Sequence, residues 1–202
     1  MNVFLQGMGV GAGLIIAIGA QNVFVITQGI RKQYHWLIAL ICSISDTLLI
    51  FIGAAGVGTF IAENQTLQAG AAWTGALFLL WYGFRALMNA TATRSLDVEA
   101  FGDSSLRTLI ATVLALTFLN PHVYIDTMVL LGSIGGQYQS NERYLFALGA
   151  SVSSFCWFFS LSYGGALLAP VFRKSVSWKV LNVLVWITMW SIAAQLILMQ
   201  IF

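Results

Sequence analysis

The sequence predicts an all-α integral membrane protein: six transmembrane helices forming a 3+3 inverted repeat, with helix breaks near the midplane. Three observations lead there. Of 202 residues, 59% are hydrophobic and only 8% charged, whereas soluble domains carry roughly 25% charged residues. Apolar stretches of about 20 residues, the length that crosses a bilayer, recur along the chain. Polar, helix-breaking clusters interrupt two of those stretches, one in each half.

The first span covers residues 4–28. It has no basic leader, and its apolar run outlasts a signal peptide's core, so it is read as a retained helix. Spans follow at 36–61 and 69–90. Between Thr91 and Leu106, Arg94, Asp97, Glu99 and Asp103 predict a solvated loop. Three more spans follow at 107–134, 144–170 and 179–201. The chain thus divides into a first repeat (1–90), a linker (91–106) and a second repeat (107–202). Arg31, Lys32, Arg85, Arg94, Arg107, Arg173, Lys174 and Lys179 fall on one side of the six spans, and Arg143 alone on the other. The positive-inside rule puts the crowded side in the cytoplasm and both termini outside. This describes a multi-pass membrane protein.

The halves show self-similarity. "GAQNVF" from Gly19 matches "NPHVYI" from Asn120 in position. "HWLIALICSIS" from His35 aligns with "RYLFALGASVS" from Arg143, placing Ala39 on Ala147, Ser43 on Ser151 and Ser45 on Ser153. Gly56 falls on Gly164, and Trp81 on Trp190. With three spans per half, such repeats are inverted. Inverted repeats with interrupted helices point to a secondary transporter with a midplane site.

The candidate site residues follow from cost. Pro121 lacks an N–H and clashes one turn back, freeing backbone groups that need protein or a water-lined cavity to satisfy them. Asp46 and Asp126 lie near span centres, where a carboxylate costs at least about 2.5–3.5 kcal/mol. His122 is a proton relay or a hydrogen-bond donor. Gln21, Asn22 and Asn120 can orient a ligand or join helices. Tyr124 and Asp126 point roughly 200° apart on a regular helix, so they share a face only if the helix is distorted. Gly7/Gly11 and Gly9/Gly13 form small-residue packing pairs. "GMGVGA" fits a nucleotide-binding pattern, but no strand can precede it. No metal site or cofactor is expected. Cys42 and Cys156 have no CxxC partner.

"GAQNVFVITQGIRKQYH", "SISD", "FLLWYGF" and "LNPHVYIDT" together resemble the LysE-type amino-acid exporters, and within them the arginine-exporting branch. The resemblance covers essentially the whole chain. It implies a six-helix exporter of basic amino acids, arginine first, in a bacterial inner membrane and driven by the ion gradient; one-for-one exchange with an incoming proton, an antiport, cancels the charge cost of exporting a +1 solute. It puts the membrane aspartates on Asp46 and Asp126 and the paired motifs on Gly19 to Asn22 and Asn120 to His122. The family has proline where this chain has Ala20. That departure predicts a milder break in span 1, with Gly19 as its flexible point. The expected partners are a basic amino acid, protons and lipid, with no nucleic acid; a homo-oligomer is compatible. Three other readings compete: an exporter of neutral amino acids or other small metabolites, a membrane thiol oxidoreductase using Cys42 and Cys156, and a cation channel.

Overall fold

The structure, a computed structural model, describes residues 2–16, 19–57, 65–91, 105–173 and 175–201. Among them all regular structure is helical: α1 (Val3–Ile15), α2 (Ala20–Arg31), α3 (His35–Ile52), α4 (Gln65–Thr91), α5 (Leu106–Phe118), α6 (Pro121–Gly135), α7 (Ser140–Leu168) and α8 (Ser175–Ile201). Most of the expected linker, with Arg94, Asp97, Glu99 and Asp103, lies outside the described residues, as does Lys174.

Local chemistry sets the helix ends. The Asn2 Oδ1 accepts the Phe4 N–H at 3.1 Å to open α1. At the end of α2, Lys32 is left-handed (φ 54°). Its N–H donates to the Gly29 carbonyl at 2.9 Å, and that of Gln33 to the Gln28 carbonyl at 3.2 Å. These are the paired bonds of a Schellman cap, a place glycine usually fills. The basic turn is thus closed by backbone, and α3 starts three residues later. Within the helices, hydroxyls bond back one turn: Thr27 to Val23 at 2.7 Å, Ser43 to Ala39 at 2.9 Å, Thr117 to Val113 at 2.9 Å and Ser151 to Ala147 at 2.8 Å. Lipid offers no water for those donors, so the helix carbonyls take them.

Helix α7 is central and packs along α1, α2 and α3, while α8 lies lengthwise on α4. The seam of α1 with α7 is built on glycine. A Cβ at Gly7 would strike the Phe146 carbonyl, one at Gly11 the Ala150 backbone, and one at Gly149 the Phe4 carbonyl. Gly9 and Gly13 face open space, so one of the two expected pairs makes the seam. Gly29 on α2 and Gly165 on α7 form a second close approach. Between apolar helices in lipid, such close packing replaces the hydrophobic effect as the source of cohesion. A shared core of Phe24, Val25, Ile38, Leu116, Phe158 and Met189 fills the space between the remaining helices.

Both expected breaks are present, but their order of severity is reversed. Helices α1 and α2 meet at 85°, α5 and α6 at 61°. The absence of proline at Ala20 does not soften the first break. Helix α2 starts at Ala20 after an extended Gly19 (φ −117°, ψ 175°), just as α6 starts at Pro121 after an extended Asn120 (φ −99°, ψ 108°). The first helical residue makes no intrahelical N–H bond, so proline is favoured there without being required.

Helices α3, α7 and α8 are long and apolar enough to cross a membrane, and each bent pair also qualifies when taken as one span. Helix α4 has 27 residues, ample length for a span. Its Gln65, Gln68, Arg85 and Asn89 lower its hydropathy, and it is absent from those candidates.

Candidate functional site

The two breaks face one cavity of about 280 Å³. The α1–α2 break supplies Leu14, Ile15, Gly19, Gln21 and Asn22. The α5–α6 break supplies Asn120, His122, Val123, Asp126 and Thr127. Asp46 comes from α3, Phe158 from α7, and Ile192 and Gln195 from α8. Residues far apart in sequence thus converge because α2 packs on α3 and α7, and the π-turn of α6 packs on α3.

Asp46 is 4% exposed. The Ser154 hydroxyl on α7 donates to its Oδ2 at 2.8 Å. This bond fixes one carboxylate oxygen toward α7, while the residue lines the cavity. Asp126 is half-buried and stands one turn after His122, which lines the same wall. The wall is a distorted helix: α6 begins as a short α-turn, Pro121–Tyr124, and continues as a π-turn, Ile125–Leu130. Such π-turns recur at functional sites because they displace side chains from their regular positions.

Side chains hold the break open. The Asn120 Oδ1 accepts the His122 N–H at 3.1 Å and so caps α6. The Tyr124 hydroxyl reaches back to the Phe118 carbonyl at 2.8 Å, satisfying an acceptor that the end of α5 leaves without a helical partner. On the other side, the Asn22 Nδ2 donates to the Ile15 carbonyl at 3.3 Å, bridging from α2 to α1. The Gln21 Nε2, buried at the cavity wall, has no hydrogen-bond partner among the described residues. No side-chain cap covers the N-terminus of α2.

Of the sequence-predicted residues, Gly19, Gln21, Asn22, Asp46, Asn120, His122 and Asp126 line this cavity. Tyr124 and Pro121 do not; they shape the break behind it. The π-turn does not bring Tyr124 onto the face of Asp126. Sequence reasoning missed Ser154, Thr127, Phe158, Ile192 and Gln195. For Ser154 a signal existed. In the alignment that puts Ser45 on Ser153, the next position puts Asp46 on Ser154. Gln195, an amide among the mostly apolar residues that end α8, carried a weaker one. Cys42 is buried and Cys156 exposed, both as free thiols. Among the described residues, no group of His, Cys, Asp and Glu is placed to hold a metal ion.

Known proteins place this architecture. Residues 12–200 match the model of the LysE type translocator family. A relative from Enterobacter sp. (strain 638), "Arginine exporter protein ArgO", is 45% identical over 197 residues, covering 97% of this chain and 93% of its own. Proteins of the same name from Salmonella typhi and Escherichia coli O157:H7 are each 45% identical over 197 residues, covering 96% of this chain and 92% of theirs. No solved structure matches. By the family match and by full-length identity, this chain belongs to the LysE type translocators.

Proposed function

We propose that the chain exports arginine through the cavity between its two broken helices, in exchange for protons. The observation that carries this reading is the convergence of Asp46 and Asp126 on one cavity with the amides of Gln21, Asn22 and Asn120. A guanidinium pairs with carboxylates through paired hydrogen bonds. The N-terminus of α2, which no side chain caps, suits the substrate's own carboxylate, as half-helix ends do in other transporters. Moving a net +1 solute out against an inside-negative potential costs about 2.3 kcal/mol per 100 mV. Exchange for one proton removes that charge term. A carboxyl that alternates between proton and guanidinium performs the exchange.

Contacts along α7 support a six-span topology. Residues 4–11 of α1 pack against 146–153, and Gly29 of α2 against 162–166. The first bent pair therefore runs in the same direction as α7, along some 19 residues or about 28 Å, close to the hydrocarbon thickness of about 30 Å. Parallel running needs an odd number of spans between them, which α3, α4 and the second bent pair provide and which omission of α4 would not. Repeat partners also meet: Asp46 bonds Ser154, and the Trp190 Nε1 donates to the Leu80 carbonyl at 3.2 Å, beside Trp81. The bond of Ser43 to Ala39 recurs as Ser151 to Ala147. These contacts favour the inverted repeat. With the basic α2–α3 turn in the cytoplasm, both termini lie outside.

The test is efflux of labelled arginine, lysine and a neutral amino acid from cells expressing the chain, with and without a collapsed proton gradient. Arginine efflux that falls when the gradient collapses is expected. Efflux of the neutral amino acid alone overturns the substrate assignment, and gradient-independent arginine efflux overturns the coupling.

A further inference from the structure

The cavity at the breaks carries an unbalanced charge. Asp46 and Asp126 line it, and among its described lining residues His122 is the one side chain able to become a cation. A bound guanidinium offsets one carboxylate. Once the guanidinium has left, two carboxylates remain in a desolvated site with no fixed counter-charge, which is costly. An exchanger passes through that state in every cycle, so a second cation has to take the place of the first.

His122 is placed to be that cation. It precedes Asp126 by four residues on α6, and residues four apart on a regular helix share a face to within about 40°. Both side chains are half-buried and line the same cavity, within electrostatic reach of each other. The residue is held through its backbone, whose N–H donates to the Asn120 Oδ1 at 3.1 Å. Among the described residues no hydrogen bond engages the ring, so its nitrogens are open to a proton. The two aspartates differ in the same way. Ser154 holds one oxygen of Asp46 at 2.8 Å, whereas no described side chain donates to Asp126, whose partner has to come from the cavity.

The surroundings of the pair are otherwise neutral. At the cavity, α3 adds Asp46, while α1, α2, α7 and α8 present no charged residue. Helices α4 and α5 pack against the start of α6. The charged residue of α4 is Arg85, ten residues along from Gly75, which meets Leu119; that is roughly 15 Å. The charged residue of α5 is Arg107, at the end away from the break. The Tyr124 hydroxyl is committed to the Phe118 carbonyl, and the Cys42 thiol on α3 is buried.

We infer that His122 carries the coupling proton, and that its imidazolium and the guanidinium of the substrate take turns as the partner of Asp126. The inference rests on the proton-exchange reading above and names the carrier within it. When arginine leaves outward, a proton from external water binds the vacant imidazole nitrogen, and the imidazolium faces Asp126 for the return. On the cytoplasmic side an incoming guanidinium takes Asp126, and the ring gives its proton to cytoplasmic water. One positive charge goes out and one comes in. Asp126 thus alternates between guanidinium and proton, the proton being lodged on the ring beside it. Histidine suits this work because it ordinarily changes charge between pH 5 and 8.

The experiment uses the purified full chain, in detergent for binding and in proteoliposomes for transport. As pH falls from 8 to 5, the dissociation constant of labelled arginine should rise, by up to about tenfold per pH unit where one proton competes with one guanidinium. By the same linkage, arginine added at about pH 6 should release about one proton. His35→Gln changes the chain's other histidine, whose Nδ1 lies 2.7 Å from the Ser162 hydroxyl and outside the cavity; it should keep both effects. His122→Gln should remove both. It should also cut arginine transport driven by a pH gradient about tenfold or more beyond any loss of arginine–arginine exchange, the scale of a lost charged partner. His122→Lys, a permanent cation beside Asp126, should weaken arginine binding at every pH. One measurement needs no change at His122: in the His35→Gln chain, the NMR signal of the remaining imidazole should pass from cationic to neutral when arginine is added. Retention of the parent's pH dependence and proton release by His122→Gln would place the proton on a carboxylate and overturn the inference. An imidazole signal that ignores arginine would overturn it too. A parent that releases a proton on binding arginine yet transports none overturns the export reading and leaves the exchange of cations at Asp126 standing.

Discussion

The bond from the Ser154 hydroxyl to the Asp46 carboxylate at 2.8 Å is the most telling single contact in the molecule. It leaves the second carboxylate oxygen for a ligand and ties α3 to α7. Removing the donor should impair export without preventing insertion. Ser154→Ala is expected to lower the initial rate of arginine efflux about tenfold, since hydrogen bonds to charged groups contribute about 1.5–3 kcal/mol. Ser154→Thr should recover part of it. Rates normalised to membrane-inserted protein check this; an alanine variant with the parent's rate would leave the bond a packing detail. The thiols give the opposite expectation. Cys42→Ala with Cys156→Ser should transport normally, and loss of efflux at normal expression would revive the redox reading. At this scale the carboxylates were legible because an apolar helix has no other use for a charge. Ser154 and Gln195 were not singled out, because serine and glutamine are common enough in membrane helices to pass as packing. Gln21, Asn22 and Asn120 were legible as polar groups, while their common cavity depends on how α2 and α6 meet α3, which no local pattern encodes.

The breaks are the decisive elements. Proline and its polar neighbours revealed the second one in the sequence. The first, without a proline, is the sharper bend, 85° against 61°. Its sharpness is not legible from the sequence, because proline is only one cause of a break and an extended Gly19 followed by a fresh helix start suffices. Two substitutions separate these causes. Pro121→Ala returns a backbone donor and removes the ring's clash, favouring continuity of α5 into α6; efflux should fall severely with the protein still in the membrane. Ala20→Pro puts proline at a first helical position, where it fits, and should be tolerated. If the Pro121→Ala variant transports as the parent does, the Asn120 cap and the Tyr124 tether alone hold the break. If Ala20→Pro blocks insertion, the two helix starts are not equivalent.

The whole molecule is a bundle organised on α7, and its proposed orientation in the membrane rests on charge. The sequence reads six apolar spans, whereas in the structure three helices qualify by length and hydropathy, or five spans when each bent pair counts as one. Helix α4, read as a span at 69–90 from the sequence, falls short of those candidates in the structure, and its packing on α8 and the parallel run of the first bent pair with α7 are what support proposing it as the sixth. On a cysteine-free background, single cysteines at Asn2 and at the exposed Gln137 of the α6–α7 turn should react with an impermeant thiol reagent from outside. Cysteines at Gln33 and Ser105 should react only after permeabilisation. Asn2 and Gln137 are expected together because the Tyr138 hydroxyl donates to the Gln6 Oε1 at 2.7 Å, tying the start of α1 to that turn. Labelling of Asn2 and Gln137 from opposite sides would break the parallel arrangement. Reversal of all four sites would invert the protein.

The central claim is that two carboxylates facing one cavity carry the substrate. It is tested most directly by exchange of labelled arginine across proteoliposomes holding the parent, Asp46→Asn or Asp126→Asn, each at matched insertion. Exchange needs no net charge movement and no gradient, so it isolates the binding and passage of arginine from the coupling ion. The account predicts that each asparagine variant loses at least about 99% of exchange, the cost of removing a charged partner from a desolvated pair at roughly 3–5 kcal/mol. Exchange near the parent's rate in both variants would contradict it, and the cavity between the breaks would then not be the path of arginine.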